Sequence, residues 1–297
     1  MTRSTPHVVG RLSFDPYEGP AGGWGSLSGM AKVVLRSRDL PVDQLMRQNK
    51  PGGFMCVSCA WAKPAEPHPA EFCENGAKAT IWDFTPRRAG PDFFASHTLT
   101  ELRTWTDYEL EQAGRLTDPL RYDAASDRYV PCAWAEAFAA IGGRLREIDP
   151  RAAVFYASGR ASLETSYAYA LMARMYGSQN LPDSSNMCHE STSVGLTQSI
   201  GAPVGTVTLD DFAKTDFLFF FGQNVGSNSP RMLHDLQKAV RRGAQIVTFN
   251  PLKERGLEAF TNPQSPFQML SPAATEISAQ YHQVKTGGDL AAPPRPP

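Results

Sequence analysis

The sequence has no excess of either charge, few cysteines and no long apolar run. Its 297 residues include 29 Lys and Arg against 30 Asp and Glu, a formal net charge of −1. This balance excludes the strongly basic surface that holds nucleic acid or an anionic membrane. No apolar stretch reaches the ~20 residues that span a bilayer, and the N-terminus lacks the apolar core and cleavage site of a secretory signal. A cytoplasmic protein is therefore expected.

The five cysteines are too few for a disulfide scaffold, and three of them cluster. Cys56, Cys59 and Cys73 lie in GGFMCVSCAWAKPAEPHPAEFCENGAK. A C-x2-C turn directs two thiolates at one centre, which indicates a metal or cluster site in a reducing compartment. Zinc and an iron–sulfur cluster both need a fourth ligand, for which His68 and His97 are available, and the spacing leaves both open. Buried free thiols are the non-functional alternative.

A further cysteine, Cys188, precedes a predicted helix start and is followed directly by His189 in SSNMCHESTSVGL. The N-terminus of a helix favours a thiolate, which suits a nucleophile or a metal ligand. A cysteine hydrolase is disfavoured, because its Cys/His pair is adjacent in space and distant in sequence. The alternatives are a metal-bound thiolate and a small buried residue beside a surface imidazole.

Regular periodicity begins after residue 117, where apolar residues alternate between strand and helix patterns. Helical spacing starts at Trp134 and Leu163, and strand-like runs occupy 153–159, 216–222 and 245–251. This alternation predicts an α/β fold with a doubly wound, mostly parallel sheet. The run at 216–222 is so apolar that burial on both faces is expected.

The N-terminal region predicts much less regular structure. Within the first fifty residues, only a short amphipathic stretch at 42–47 is helical in pattern, and residues 52–98 look loop-dominated because they combine the cysteines with prolines and aromatics. A small, loop-rich, cysteine-containing domain is therefore expected ahead of the α/β part.

The stretch FFFGQNVGSNSP predicts a phosphate site where a buried strand feeds a helix that opens at Asn-Ser-Pro. Backbone amides near Gly222 and the positive end of the helix favour a phosphate, and Asn224, Ser227 and Asn228 add polar side chains. The stretch lacks G-x-G-x-x-G, so an NAD-type dehydrogenase is poorly supported. The next strand ends at Asn250, where a polar residue commonly meets a sugar or base.

Together these motifs resemble the molybdopterin oxidoreductase family, specifically its formate dehydrogenase-like α-subunit branch, from about residue 52 to 290. The resemblance implies α/β domains that bind Mo-bis(molybdopterin guanine dinucleotide), preceded by a [4Fe-4S] segment. It implies two-electron chemistry on formate or a similar small substrate and an electron-transfer partner protein. It implies that Cys188 ligates molybdenum, that His189 handles the substrate proton, and that Lys78 lies between cluster and pterin.

The same resemblance distributes the remaining ligands. The cluster ligands are Cys56, Cys59 and Cys73. The residues at one guanine-dinucleotide arm are Gly222, Asn224, Ser227, Asn228 and Asn250, with Gly288 and Asp289 in QVKTGGDLA. The implied divisions are a loop-rich segment at 1–115, partial α/β domains at 116–187 and 188–290, and a Pro-rich tail at 291–297.

Three features depart from the family pattern. The cluster segment has three cysteines where four are usual, and Asn250 stands where an acidic residue often recognises guanine. The ending AAPPRPP predicts a truncated chain. The rival hypothesis is therefore a non-catalytic fragment that binds a cluster or zinc through Cys56 and Cys59.

Overall fold

A computed structural model describes residues 7–9, 12–14, 17–36, 42–59, 61–159, 161–182, 184–288 and 291. The strands in these ranges are β1 (His7–Val9), β2 (Leu12–Phe14), β3 (Ala21–Gly22), β4 (Arg88–Ala89), β5 (Arg115–Leu116), β6 (Leu120–Asp123), β7 (Arg128–Pro131), β8 (Phe217–Phe221), β9 (Gln245–Asn250), β10 (Ala259–Thr261), β11 (Thr275–Glu276) and β12 (Gln280–Gln283).

The helices in the same ranges are mostly short, and none is long and apolar enough to cross a membrane. They are α1 (Gly23–Arg36), α2 (Val42–Arg47), α3 (Glu74–Asp83), α4 (Pro91–Ser96), α5 (Leu99–Leu102), α6 (Asp107–Ala113), α7 (Trp134–Glu147), α8 (Leu163–Tyr176), α9 (Ser184–Cys188), α10 (Glu190–Ile200), α11 (Leu209–Phe212), α12 (Val225–Asn228), α13 (Met232–Arg241), α14 (Arg255–Glu258) and α15 (Pro266–Leu270), with a 3-10 turn at Pro150–Ala152.

The chain forms two compact units. Unit 1 combines Met1–Phe84 with Val207–Pro297, and unit 2 is Thr85–Thr206. Unit 1 contains a parallel sheet in the order β12–β9–β8 and a mixed sheet in the order β11–β10–β3. Helices interspersed with small parallel sheets confirm the predicted α/β class. The domain boundaries at 115, 187 and 290 stay a prediction.

The core of unit 1 lies between its parallel sheet and helix α13. Leu236 and Ile246 are fully buried in this core, with Leu233 beside them. The helix begins at Met232 and is followed by Gly243, whose φ of +106° suits a glycine after a helix end. The predicted helix and the strand at 245–251 are therefore confirmed, although the helix starts two residues beyond the proline.

The opposite face of the parallel sheet differs from its prediction. Phe217, Phe219 and Phe221 are 61%, 50% and 51% exposed, whereas Phe220 is buried. Alternate residues of a strand point to opposite faces, and the described part of unit 1 covers only one of them. The expectation of burial on both faces of 216–222 is therefore wrong for this unit.

Unit 2 confirms the helices predicted from Trp134 and Leu163. Helix α7 ends before Ile148, and α8 ends at Tyr176 and is followed by Gly177, a left-handed residue with φ of +97°. The strand predicted at 153–159 is absent from the described sheets: the amide of Phe155 donates to the carbonyl of Asn180, and no strand pairs with this stretch. A strand needs a hydrogen-bonded neighbour, which apolar content alone cannot supply.

The N-terminal region holds two helices that the sequence pattern did not indicate. Helix α1 follows a glycine-rich start, and its Trp24 Nε1 donates to the carbonyl of Met269 at 3.0 Å. Helix α3 lies within the region expected to be loop-dominated and is capped by Cys73. Tertiary contacts in unit 1 outweigh the weak local propensity of these stretches.

Candidate functional site

Two of the predicted cluster cysteines meet at one glycine of helix α3. Cys73 is the N-cap residue, and its Sγ accepts a hydrogen bond from the Gly76 amide at 3.4 Å. A Cβ atom on Gly76 would lie 2.9 Å from the Sγ of Cys56 and 3.7 Å from the Sγ of Cys73. Both thiols therefore pack against Gly76, and the absence of a side chain there lets the Cys56 Sγ approach the helix closely.

The third cysteine, Cys59, influences the Cys73 thiol electrostatically. Burial raises the pKa of the Cys73 thiol; the hydrogen bond from Gly76 opposes this, and the nearby Cys59 and Cys56 raise it further. The three thiols are thus electrostatically coupled. Among the described residues, however, no three His, Cys, Asp or Glu side chains are close enough to hold a single metal ion.

The histidines considered as a fourth ligand fall in different units. His68 is in unit 1, where its Nδ1 accepts from the amide of Ala70 at 3.1 Å. His97 is in unit 2, where its Nδ1 contacts Glu101 at 2.8 Å. In each of these histidines, the Nδ1 atom is therefore already used in a contact with a residue close in sequence.

Asn49 fixes the loop that carries Cys56, and sequence reasoning missed it. It is fully buried, and its backbone is left-handed, with φ of +59°. Its Oδ1 accepts from the Cys56 amide at 3.0 Å, and its Nδ2 donates to the carbonyl of Glu71 at 2.8 Å. Asn tolerates this backbone better than most residues do, so the Asn-Lys-Pro-Gly-Gly turn was the available signal.

Gln48, the preceding residue, was also missed. Its side chain is fully buried, and its Oε1 accepts from the Thr80 hydroxyl at 3.3 Å. Its Nε2 has no hydrogen-bond partner among the described residues. Nε2 lies 2.9 Å from the point that a Cβ on Gly76 would occupy, as does the Sγ of Cys56. An unpaired donor therefore faces the cysteine site.

Helix α3 also connects the cysteines to the predicted cofactor loop. The Asn75 Nδ2 donates to the carbonyl of Ser227 at 3.1 Å. Lys78 lies one turn further along the helix and pairs with Glu74 at 2.5 Å, both side chains being about one-quarter exposed. The predicted redox lysine and the predicted dinucleotide loop are therefore held by the same helix that Cys73 begins.

The predicted dinucleotide residues follow the ends of parallel strands. Gly222 follows β8, Asn250 ends β9, and Gly288 lies in a turn after β12. Because the three strands are parallel neighbours, their carboxyl ends meet at one edge of the sheet, where α/β proteins bind ligands. Gly222 has φ of +64° with open space around it. Asp289 lies outside the described residues.

The loop after β8 is not built as predicted. Asn224 caps the four-residue helix α12, its Oδ1 accepting from the Ser227 amide at 3.0 Å, and Asn228 ends that helix. The expected helix start at Asn-Ser-Pro is therefore wrong: the chain makes a tight turn there before α13. Asn250 is buried, donates to the carbonyl of Gln223 at 3.1 Å and accepts from the amide of Leu252 at 3.1 Å. The side-chain amide of Asn250 thus joins the loop that follows β8 to the loop that follows β9.

Within unit 1, a cavity of about 520 Å³ opens between helix α3 and the loop that follows β8. Cys73 and Asn75 line it from the cysteine helix, and Gly226 and Pro230 from the cofactor loop. His234 contributes a polar group to a mostly apolar wall. Concave, largely apolar spaces with few polar groups are the usual form of cofactor sites.

A buried ion pair anchors the segment between Cys59 and Cys73. Arg231 is 4% exposed, and its Nη2 contacts the Glu71 Oε1 at 2.7 Å. Its guanidinium also donates to the carbonyls of Trp61 and Ala62, at 3.0 and 3.1 Å. The cysteine segment is thereby fixed to the start of α13. Nothing in the sequence pattern marked Arg231, because its partner lies 160 positions away.

Cys188 and His189 lie in unit 2. Cys188 is exposed and ends helix α9, and His189 is the N-cap residue of α10, so the predicted helix start after the pair is confirmed. The amide of His189 donates to the carbonyl of Ser185 at 3.0 Å, and its own carbonyl accepts from Ser193. The alternative of a buried cysteine beside a surface histidine is contradicted, since both side chains are exposed.

The chain matches the family model described as Molybdopterin oxidoreductase over residues 115–279, more than half of its length. The chain belongs to the molybdopterin oxidoreductase family. The predicted family is therefore confirmed, and membership implies a molybdenum–pterin cofactor. The match covers the strands whose ends carry Gly222 and Asn250.

Several known proteins are similar to this chain over part or most of its length. Protein YdeP of Escherichia coli is 50% identical over 95% of this chain and 37% of its own length. An uncharacterized oxidoreductase of Mycobacterium tuberculosis is 44% identical over 83% of this chain and 32% of its own length. The alpha subunit of an F420-dependent formate dehydrogenase of Methanococcus maripaludis is 29% identical over 46% of this chain and 20% of its own length. The chain thus spans between 20% and 37% of the length of these relatives.

The residues around Gly76 fit a group bound through thiolates. Two sulfur atoms and an unpaired, fully buried amide donor converge on Gly76, where a Cβ atom would lie 2.9 Å from both the Cys56 Sγ and the Gln48 Nε2. Buried polar groups are rarely left unsatisfied in folded proteins, so this donor indicates an acceptor at the cysteines. The strand-end loops likewise fit the nucleotide part of a pterin cofactor, because their amides lie at the ligand-binding edge of the sheet.

Proposed function

We propose that this chain forms the cluster-binding part and one cofactor arm of a formate dehydrogenase-like molybdenum oxidoreductase. The observation that carries the proposal is the hydrogen bond from Asn75 to Ser227, which joins the cysteine helix to the strand-end loop. One unit thereby holds both a thiol site and a dinucleotide-type loop. The similarity to a formate dehydrogenase alpha subunit supports this type of reaction, a two-electron oxidation or reduction of formate or a similar small substrate.

The thiol site is proposed to hold a [4Fe-4S] cluster through Cys56, Cys59 and Cys73. Thiolates are the usual ligands of such clusters. Asn49 and Arg231 keep the two cysteine-bearing segments in place. The Lys78 ammonium stays beside the start of the cysteine helix because Glu74 holds it, which suits a residue between two redox centres.

The dinucleotide loop is proposed to hold one arm of a bis(molybdopterin guanine dinucleotide) cofactor. Such a cofactor, when bound, supplies the two-electron chemistry. Main-chain amides near Gly222 and Gly288 would hold the phosphates. The predicted contacts are Gly222, Asn224, Ser227, Asn228, Asn250, Gly288 and Asp289.

Cys188 is proposed to ligate the metal, and His189 to accept or donate the substrate proton. The exposed thiol and imidazole are available for these roles. An imidazole suits proton transfer, because one of its ring nitrogens can accept a proton and the other can donate one. An electron-transfer protein would accept electrons one at a time from the cluster.

The test is elemental and pterin analysis of the full chain purified without oxygen. We expect iron with acid-labile sulfide, in a ratio of about four to four, and molybdenum with pterin. Cys188→Ala should remove molybdenum and leave iron, whereas Cys73→Ala should remove iron. Cys132→Ala is the matched control, because Cys132 lies outside both motifs, and it should change neither. Zinc without iron or sulfide would refute the redox proposal.

A further inference from the structure

Gln48 carries a chemical group that the rest of the site does not use. The side chain is fully buried, and the residue directly follows helix α2. The Thr80 hydroxyl donates to its Oε1 at 3.3 Å, which orients the carboxamide. Its NH2 group therefore points away from Thr80, and its nitrogen is without a partner among the described residues.

Two cysteine sulfur atoms lie in the surroundings of this nitrogen. The Gln48 Nε2 and the Cys56 Sγ each lie 2.9 Å from one point beside Gly76, with the Cys73 Sγ at 3.7 Å. A thiolate or a cluster sulfide at this place carries negative charge and accepts N–H hydrogen bonds. The opposite orientation of the amide would turn its oxygen, the negative end of the amide dipole, toward the negatively charged sulfurs, which is unfavourable.

We propose that Gln48 is a positioning residue of the cysteine site, whose Nε2–H donates a hydrogen bond to a sulfur of the bound cluster or to the Cys56 thiolate. This inference rests on the cluster assigned under Proposed function. Hydrogen bonds to sulfur stabilise the reduced form of a cluster, which is the more negative, and so raise its reduction potential. Gln48 therefore sets how readily the cluster takes up an electron.

The experiment measures the midpoint potential of the cluster in the full chain by a redox titration followed by optical or electron paramagnetic resonance spectroscopy. Gln48→Leu keeps most of the side-chain volume and removes the donor. We expect the equilibrium constant for reduction to fall about tenfold, which is about 59 mV for a one-electron couple. Gln48→Glu, which places a carboxylate beside the sulfurs, should lower the potential at least as far.

Gln237→Leu is the matched control. Gln237 is also a buried glutamine of unit 1, but its Nε2 donates to Gln268 and Thr275 rather than facing sulfur. This variant should lose stability and keep the wild-type potential. An effect of general loosening would shift the potential in both variants, whereas the proposed hydrogen bond shifts it only at position 48.

The possible outcomes distinguish the proposal for Gln48 from the cluster proposal on which it depends. If the wild-type chain binds no iron and sulfide, the proposed cluster is refuted and the role of Gln48 falls with it. If the wild-type chain binds the cluster and both Gln48 variants keep its potential, the role of Gln48 alone is refuted. Should Gln48→Leu not fold, a potential in Gln48→Glu equal to or above that of the wild type would refute it equally.

Discussion

Replacement of Arg231 by methionine should be among the most damaging single changes in unit 1. The guanidinium is 4% exposed and contacts the Glu71 carboxylate through both Nε and Nη2, at 3.0 and 2.7 Å. It also satisfies the carbonyls of Trp61 and Ala62. Methionine retains much of the apolar stem but supplies no donor, so three acceptors lose a partner at once.

The magnitude follows from these contacts. Removing one member of a buried ion pair destabilises a protein by about 3–5 kcal/mol. The Glu71 side chain is 17% exposed, so water recovers part of its hydration, and we expect a loss of about 3 kcal/mol. Adding Glu71→Leu to Arg231→Met should recover part of this loss, because no uncompensated charge then remains.

The assay is urea unfolding of the full chain followed by circular dichroism, with Lys253→Met as the control. Lys253 also pairs with a glutamate of unit 1, at 3.6 Å, but its side chain is 65% exposed. Exposed pairs contribute only about 0–1 kcal/mol. A loss below about 1 kcal/mol for Arg231→Met, or a double variant less stable than Arg231→Met, would show that the buried pair does not anchor the cysteine segment.

Three further changes test other parts of unit 1. Gly76→Ala should lower the iron content of the chain, because its Cβ would lie 2.9 Å from the Cys56 Sγ. Gly25→Ala is the control, since Gly25 lies in a helix with open space around it; this variant should keep iron bound and gain about 0.5–1 kcal/mol of stability. Asn49→Ala should cost about 2 kcal/mol in urea unfolding, since it removes both hydrogen bonds of a fully buried side chain. At about 1 kcal/mol per bond, a loss under about 0.5 kcal/mol would contradict the role of Asn49 in fixing the Cys56 loop. Burial lowers the pKa of His234 to about 4, so below about pH 6.5 the unfolded state takes up a proton that the folded state resists, and stability falls toward pH 4 by at most about 3 kcal/mol. His234→Leu should remove this part of the pH dependence, and an unchanged pH profile would contradict the shift.

The sequence pattern predicts the α/β class and several individual helices and strands, because apolar periodicity is a local property. Helix α2 coincides with the predicted 42–47 stretch, and the predicted strand at 245–251 appears as β9. Polar residues at strand ends also mark a binding edge, since parallel strands bring their carboxyl ends together.

The remaining features depend on contacts between distant parts of the chain. Helix α3 has no clear apolar stripe and is fixed by Cys73 and by neighbours such as Gln48. Exposure of Phe217 depends on what covers the sheet, which strand composition does not encode. Gln48 and Asn49 matter because of sulfur and carbonyl atoms that fold against them, and no spacing rule connects these residues to their partners.

Unit 1 is assembled from two stretches of chain, so during synthesis its N-terminal stretch cannot complete its fold until the C-terminal stretch has been made. The ribosome makes all of Thr85–Thr206 before the first residue of the returning stretch. At about 5–20 residues per second, this takes roughly 6–25 s. Arg231 and Ser227, which secure the cysteine segment, do not yet exist in that interval. Cys56, Cys59 and Cys73 therefore meet oxidants and metal donors as parts of an unfinished fold, for a time set by the length of the inserted unit.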